Sequence, residues 1–91
     1  MLLKEARKKA LEFVNRNYEV IDDELVIVDE ETIEKDYGWY FFSASRKFLK
    51  TENISDMALG NGPILVAKDG KITQFGTAYS IEHYVREYEN S

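Results

Sequence analysis

Gly38-Trp39-Tyr40-Phe41-Phe42 is the stretch that decides the fold, because it is apolar on both faces of any strand it forms. Successive strand side chains point to opposite faces, so Trp39 and Phe41 share one face and Tyr40 and Phe42 the other. A later run, Gly60-Asn61-Gly62-Pro63-Ile64-Leu65-Val66, adds a second apolar strand with proline at its start, where the missing N–H is tolerated. The two runs predict a sheet whose aromatic strand is central, or keeps one face open for a partner.

Length and composition predict one cytoplasmic domain over residues 1–91. The chain is 44% hydrophobic, which supplies one core for 91 residues. It has no cysteine, which excludes disulfides and thiolate zinc sites and agrees with a reducing compartment. No apolar run approaches the roughly 20 residues of a membrane span, and the start of the chain lacks the apolar core of a signal peptide.

The acidic residues are concentrated in one segment of the chain. Residues 1–17 carry five basic and two acidic side chains (+3), residues 18–36 one basic and nine acidic (−8), and residues 37–91 six of each, which gives the net charge of −5. The acidic segment would repel nucleic-acid phosphates and attract a basic partner. The alternative is a solvated hairpin whose charges merely prevent aggregation.

Two amphipathic helices are predicted, one near each end. Apolar residues recur three or four positions apart near the start of the chain, which predicts a helix of about 15 residues that ends near Asn15–Asn17. The same spacing recurs near the end of the chain, after Ser80 as a plausible N-cap. The apolar positions are Leu3, Ala6, Ala10, Phe13 and Val14 in the first helix and Ile81, Tyr84, Val85 and Tyr88 in the second.

Four strands are predicted between the helices. The first is Leu25-Val26-Ile27-Val28, continuing with polar residues to position 35; a turn at Asp36-Tyr37-Gly38 leads to the second, residues 39–45. Asp69-Gly70 has the composition of a two-residue type I′ turn, which would set Val66 opposite Thr73 and Ile64 opposite Phe75. Residues 46–51 continue toward a connector, and residues 52–61 form a loop with a helical turn at 55–59 that Ser55 could cap.

The predicted fold class is therefore α+β. It has one four-stranded antiparallel sheet made of two hairpins, with an N-terminal and a C-terminal helix on a face of the sheet, in the order α-β-β-β-β-α.

No catalytic or cofactor motif stands out in the sequence. His83 is the only histidine and is predicted to be an ordinary exposed helix residue, since it has no cysteine or nucleophile beside it. Ser43 and Ser45 are placed within a strand, away from the sharp strand-to-helix turn of a hydrolase nucleophile. Gly60-Asn61-Gly62 leads into a strand, whereas a phosphate loop leads into a helix. We expect no enzyme activity, cofactor or metal.

The chain resembles the immunity protein 35 family of YrhB-type domains over roughly residues 25–89. The matching pieces are Glu31-Thr32-Ile33-Glu34, Gly38-Trp39-Tyr40-Phe41-Phe42, Phe48-Leu49-Lys50-Thr51, Ala58-Leu59-Gly60-Asn61-Gly62-Pro63-Ile64-Leu65-Val66, Asp69-Gly70, Gly76-Thr77-Ala78, Ile81-Glu82-His83-Tyr84 and Tyr88-Glu89. The family pattern usually has alanine where this chain has Gly62, a difference that we expect to loosen the turn.

The resemblance implies a bacterial immunity protein that binds a co-produced polymorphic toxin inside the cell and blocks it stoichiometrically. It does not identify the toxin. A chaperone-like or stress-related binder of unfolded clients is the alternative, and an enzyme with an unrecognised site is a third. For toxin binding we expect the acidic hairpin to dock a basic surface and exposed tyrosines to anchor it. The predicted contact residues are Asp29, Glu30, Glu31, Glu34, Tyr37 and Tyr79.

Overall fold

Two helices enclose a four-stranded sheet from opposite sides in the computed structural model, which describes residues 1–16, 18, 22–52 and 62–91. The predicted α+β class, with antiparallel strands between an N-terminal and a C-terminal helix, is confirmed. The elements are α1 (Leu3–Asn15), β1 (Leu25–Ile27), a 3₁₀ turn (Asp29–Glu31), β2 (Ile33–Lys35), β3 (Gly38–Phe41), β4 (Ser43–Ser45), α2 (Arg46–Thr51), β5 (Ile64–Ala67), β6 (Ile72–Gln74) and α3 (Ile81–Asn90).

The first predicted hairpin is present, but its two strands are interrupted. β1 pairs with β4, and β2 pairs with β3, so the hairpin spans a two-stranded and a four-stranded sheet. Between the pairs Ile27–Ser43 and Ile33–Tyr40, five residues (28–32) face only two (41 and 42). The three extra residues are taken up by the 3₁₀ turn. The predicted strand is therefore present at residues 33–35, but its continuity with Leu25–Ile27 is wrong, because the adjacent acidic residues 29–31 have little strand preference and form the 3₁₀ turn.

The aromatic strand is central, as predicted. The sheet order is β2-β3-β5-β6, and all four residues of β3 are buried. Trp39 lies opposite Val66 and Phe41 opposite Ile64, while Tyr40 pairs with Leu65 on the other face. The side-chain alternation that the sequence predicted for these residues is thus confirmed by the register.

The two helices cover opposite faces of this sheet, which corrects the expectation that both lie on one face. Ala6 and Ala10 of α1 are fully buried against the face that carries Trp39 and Phe41. α3 covers the other face, where the ring of Tyr84 packs on Phe75 at 5.2 Å between centroids. The small alanines let α1 approach the sheet closely. Leu3, predicted to belong to this stripe, is instead 47% exposed, and Leu11 packs against the core.

The turn between β5 and β6 contains three residues, one more than predicted. The N–H of Gly70 donates to the carbonyl of Ala67 at 2.8 Å, and the N–H of Ala67 donates to the carbonyl of Lys71 at 2.9 Å. Gly70 has φ +93°, the left-handed residue that follows a type I turn in a three-residue hairpin. As a result Ile64 lies opposite Gln74 and Leu65 opposite Thr73. The predicted register was wrong by one residue.

Gly62 lies in a tight backbone approach, contrary to the expected loosening. It is buried, and a Cβ added there would collide with the carbonyl oxygen of Phe75. Only glycine lets the two backbone segments come this close. The predicted helical turn at residues 55–59, its cap Ser55 and the neighbouring Gly60 and Asn61 lie outside the described residues.

Candidate partner-binding surface

The 3₁₀ turn and strand β2 together carry the four acidic residues that the sequence singled out. Asp29, Glu30 and Glu31 form the turn, and Glu34 is the middle residue of β2. All four are exposed. The interruption of the hairpin therefore displays the acidic group on a bulge beside α1. We call these four residues the acidic turn-and-edge surface.

Asp29 is the member of this surface that already has a partner. Arg7 of α1 donates from Nε and Nη2 to its two carboxylate oxygens, at 2.6 and 3.0 Å. The guanidinium holds the pKa of the Asp29 carboxyl below its ordinary value through these hydrogen bonds and its charge. This bidentate pair joins the turn to the first helix. The side chains remain 40% and 62% exposed, so the contribution to stability is modest.

The other three carboxylates are exposed and have no ion-pair partner among the described residues. Glu30, Glu31 and Glu34 form no ion pair with any residue in the described parts of the chain. Glu34 lies opposite Trp39, on the sheet face that α1 covers further along. The surface thus keeps three uncompensated negative charges within five positions of the chain.

Tyr37 is half-buried, not exposed as expected. Its hydroxyl lies 2.8 Å from the Tyr40 hydroxyl and donates to Glu89 of α3 at 2.8 Å. Its ring packs on Tyr88 at 5.1 Å between centroids. Partial burial, together with these hydrogen bonds, raises the pKa of the Tyr37 hydroxyl. Tyr37 therefore ties the β2–β3 turn to the end of α3, and its role in partner binding stays a prediction.

Tyr79 is exposed, as expected, and lies just before α3. It is 63% exposed, and its ring stacks on His83 at 4.2 Å between centroids. His83 is half-buried on the helix surface, with Nε2 3.4 Å from Glu87. A ring held in this way loses little further conformational freedom on binding, which suits an interface anchor.

The predicted contact residues lie on three parts of the fold. Tyr79 packs on the first turn of α3, whereas Tyr37 contacts Tyr88 and Glu89 near its last residue. These helix positions are about 8 Å apart along the axis, at 1.5 Å per residue. The four acidic residues lie on the 3₁₀ turn and on β2, which follow one another along the chain.

A partly buried polar cluster around Asp23 was missed by the sequence analysis. The Asp23 carboxylate accepts hydrogen bonds from the hydroxyls of Tyr18 (2.8 Å) and Ser45 (2.5 Å) and from the N–H groups of Lys47 (3.0 Å) and Glu24 (2.8 Å). These bonds, of which the one from Ser45 is the strongest, hold the pKa of Asp23 well below its ordinary value. Four donors on one carboxylate fix the start of α2.

Ser45 lies in a strand, as predicted, but at a strand-to-helix junction and not away from one. It is the last residue of β4 and the N-cap of α2, and its Oγ accepts from the N–H of Phe48 at 3.1 Å. Ser45 is 1% exposed, and its hydroxyl donates to Asp23 and accepts from the N–H of Phe48, so this hydroxyl is not free to act as a nucleophile. The signal in the sequence was a serine directly before a run with good helix formers.

Basic residues line a separate open groove at α2. Arg46, Lys47 and Lys50 line it together with Asp22 and Thr51 over a volume of about 520 Å³. Arg46 also pairs with Glu24 at 3.0 Å.

In the described residues, no group of three or more His, Asp or Glu side chains could hold a metal ion. None of the helices described here has the length and apolarity needed to cross a membrane.

The described residues form a small α+β fold that displays an acidic surface on the 3₁₀ turn and β2. The chain belongs to the immunity protein 35 family, whose pattern it matches over residues 4–91. It is also 35% identical over 78 residues to YrhB of Escherichia coli K12, described as an uncharacterized protein; the match covers 85% of this chain and 83% of YrhB. No solved structure matches the chain.

Proposed function

We propose that this protein is a bacterial immunity protein that binds a toxin produced with it and neutralises the toxin by stoichiometric contact. Family membership over residues 4–91 is the observation that carries the proposal. Immunity of this kind needs no chemistry: occupying the toxin is sufficient. We accordingly propose a non-enzymatic protein without cofactor that acts in the cytoplasm, where the toxin would otherwise act.

The acidic turn-and-edge surface supports an electrostatic mode of docking. Three carboxylates, those of Glu30, Glu31 and Glu34, are exposed and unpaired in the described residues. A basic toxin surface would be steered toward them, which raises association rates by about 10–1000-fold at low salt. Tyr79 is the proposed anchor, since it is exposed and held by His83.

Co-expression with the toxin encoded beside it tests the function. Growth should be rescued by the wild-type protein, and purified toxin and immunity protein should form a complex of fixed stoichiometry. Absence of both rescue and complex would contradict the proposal. Binding to many unfolded clients, insensitive to salt, would instead support the chaperone-like alternative.

Charge reversal tests the docking surface. The triple variant Glu30→Lys, Glu31→Lys, Glu34→Lys leaves the Arg7–Asp29 pair intact and should slow toxin association by at least tenfold and flatten its salt dependence. The matched control changes the net charge equally with Glu5→Lys, Glu12→Lys and Glu52→Lys, all at exposed positions away from the proposed contact residues. Equal association rates for the two triple variants would remove this surface from the interface.

A further inference from the structure

Strand β2 is an edge of the four-stranded sheet. It pairs with β3 on one side, and no other described strand pairs with it on the other. Asp36-Tyr37 is a two-residue turn, so the closing pair Lys35–Gly38 exchanges backbone hydrogen bonds and the next pair, Glu34–Trp39, does not. The N–H and C=O of Glu34 therefore point away from β3, toward any strand that arrives at this edge.

A cleft follows this edge on the α3 side of the sheet. It has a volume of about 150 Å³ and lies between β2 and α3, lined by Ile33, Lys35, Ile81, Glu82 and Val85. Ile33, Ile81 and Val85 supply an apolar floor of half-buried side chains. Among the described residues that line the cleft, Lys35 is the only cation, and it is paired with Glu89 at 3.6 Å. An apolar side chain that enters the cleft therefore meets no unpaired positive charge from these lining residues.

Negative charge surrounds the same edge. Glu34 projects from β2 on the face opposite the cleft, because it alternates with Ile33 and Lys35. Glu82 stands at the cleft, and Glu30 and Glu31 precede the strand. Across the described parts of the chain, none of these four carboxylates has an ion-pair partner.

We propose that β2 receives an extended segment of the partner protein as an added strand. This inference rests on the proposed function and specifies how the toxin is held. Backbone hydrogen bonds to Glu34 give affinity, and alternate side chains give specificity. The segment places an apolar residue in the cleft against Ile33 and Val85 and a lysine or arginine beside Glu34. Its pattern is thus alternating apolar and basic.

The opposite edge does not fit the same segment. β6 consists of Ile72, Thr73 and Gln74, which carry no charge, and the residue before it is Lys71. A basic strand would meet a cation there and no carboxylate within the strand. Charge therefore distinguishes the two edges of the sheet and selects β2.

A peptide titration tests the edge directly. The probe is a capped five-residue peptide of alternating lysine and valine, followed by amide chemical shifts of the ¹⁵N-labelled protein. We expect the largest shifts at Ile33–Lys35, Ile81 and Val85, and at least tenfold weaker binding when glutamate replaces lysine in the peptide. Shifts centred on β6 or α1, or no shifts at millimolar peptide, would overturn the proposal.

Two variants separate the cleft from the charge. Val85→Trp fills the cleft, and Glu34→Lys reverses the charge at the strand. Each variant should bind the lysine–valine peptide at least tenfold more weakly than the wild type. Leu49→Trp, at an exposed α2 position, and Glu12→Lys on α1 are the matched controls and should leave binding within twofold. Thermal unfolding of each variant shows whether the fold is retained. Equal loss in variants and controls would refute the site.

Hydrogen exchange in the toxin complex distinguishes the two proposals. Protection of the Glu34 amide on complex formation is the expected result. A toxin complex that rescues growth while this amide stays unprotected would refute strand addition and leave the immunity function standing. Peptide binding at β2 without any toxin complex would refute the proposed function and leave the edge site standing.

Discussion

Replacing Ser45 by alanine tests the polar cluster that fixes α2. The Ser45 hydroxyl is 1% exposed, donates to Asp23 and accepts from the N–H of Phe48. Ser45→Ala removes both hydrogen bonds and leaves the Phe48 N–H without its cap. The change is small in volume, so the cost comes from lost hydrogen bonding and not from a cavity.

The expected destabilisation is about 2–3 kcal/mol at pH 7. Loss of an N-cap side chain costs about 0.5–2 kcal/mol, and an unmade hydrogen bond at a buried group about 1–3 kcal/mol. The two effects share one oxygen atom, so they do not add fully. For a domain of this size the midpoint of thermal unfolding should fall by roughly 8–24 °C.

The destabilisation should shrink in acid. The hydrogen bond from Ser45 is the main reason why the pKa of Asp23 in the folded protein lies below its ordinary value of about 3.9. A depressed folded-state pKa stabilises above pH 3.9, and this stability is lost as the pH falls, because the unfolded chain binds the proton first. Without the Ser45 hydroxyl the pKa of Asp23 in the folded protein moves back toward 3.9, so the variant loses less stability than the wild type as the pH falls. The difference between wild type and variant should begin to shrink below about pH 4, and at still lower pH only the cost of the lost N-cap bond to Phe48 should remain.

Urea unfolding at pH 7, 5, 4 and 3, followed by the fluorescence of buried Trp39, measures both effects. Ser80→Ala is the control: it removes the N-cap of α3, whose Oγ accepts from the N–H of His83 at 3.3 Å with no carboxylate involved. It should cost about 1 kcal/mol equally from pH 3 to pH 5. The reasoning would be refuted if Ser45→Ala lowered the free energy of unfolding at pH 7 by less than about 0.5 kcal/mol, about a fifth of the expected cost. It would also be refuted if the loss of stability at pH 3 were as large as at pH 7.

Three further predictions concern the backbone and two surface links. Gly62→Ala should lower the free energy of unfolding in urea by about 1–3 kcal/mol, because the new methyl group meets the Phe75 carbonyl. The control Gly76→Ala should change stability far less, because a Cβ there meets only a side-chain hydroxyl at 3.2 Å. Equal effects of the two variants would contradict the role of the Phe75 carbonyl. Arg7→Ala should cost about 0.2–1 kcal/mol and nothing in 1 M NaCl; a cost that persists in salt would show that the ion pair is not its origin. Tyr37 has a raised pKa, so the folded state prefers the neutral hydroxyl; stability should hold below pH 10 and fall above it, and Tyr37→Phe should flatten this fall in alkaline unfolding curves.

Much of the fold could be predicted because its signals are local. The apolar spacing of α1 and α3 and the two-faced aromatic strand each depend on periodicity within a few residues. The interruption of the hairpin at Asp29–Glu31 could not be predicted from periodicity, since the pattern of residues 25–35 is equally compatible with one strand whose second half is polar. The β5–β6 register was missed because Asp69-Gly70 fits both a two-residue and a three-residue turn.

The candidate site was predictable only in part. The acidic composition of residues 18–36 marked Glu30, Glu31 and Glu34, and each is exposed. The burial of Tyr37 depends on Tyr40 and on Glu89, which is 52 positions away. A pattern of residue types carries no information about such a distant contact.

The sequence by itself determined the helices, the central aromatic strand and the concentration of negative charge, because each follows from neighbouring residues. Only the tertiary structure decided which charges are free and where an edge remains open. Arg7 reaches Asp29 across 22 positions, and Asp23 meets Ser45 across another 22. Such pairings depend on how α1, the hairpin and α3 pack around the sheet, and packing brings together groups that are far apart along the chain.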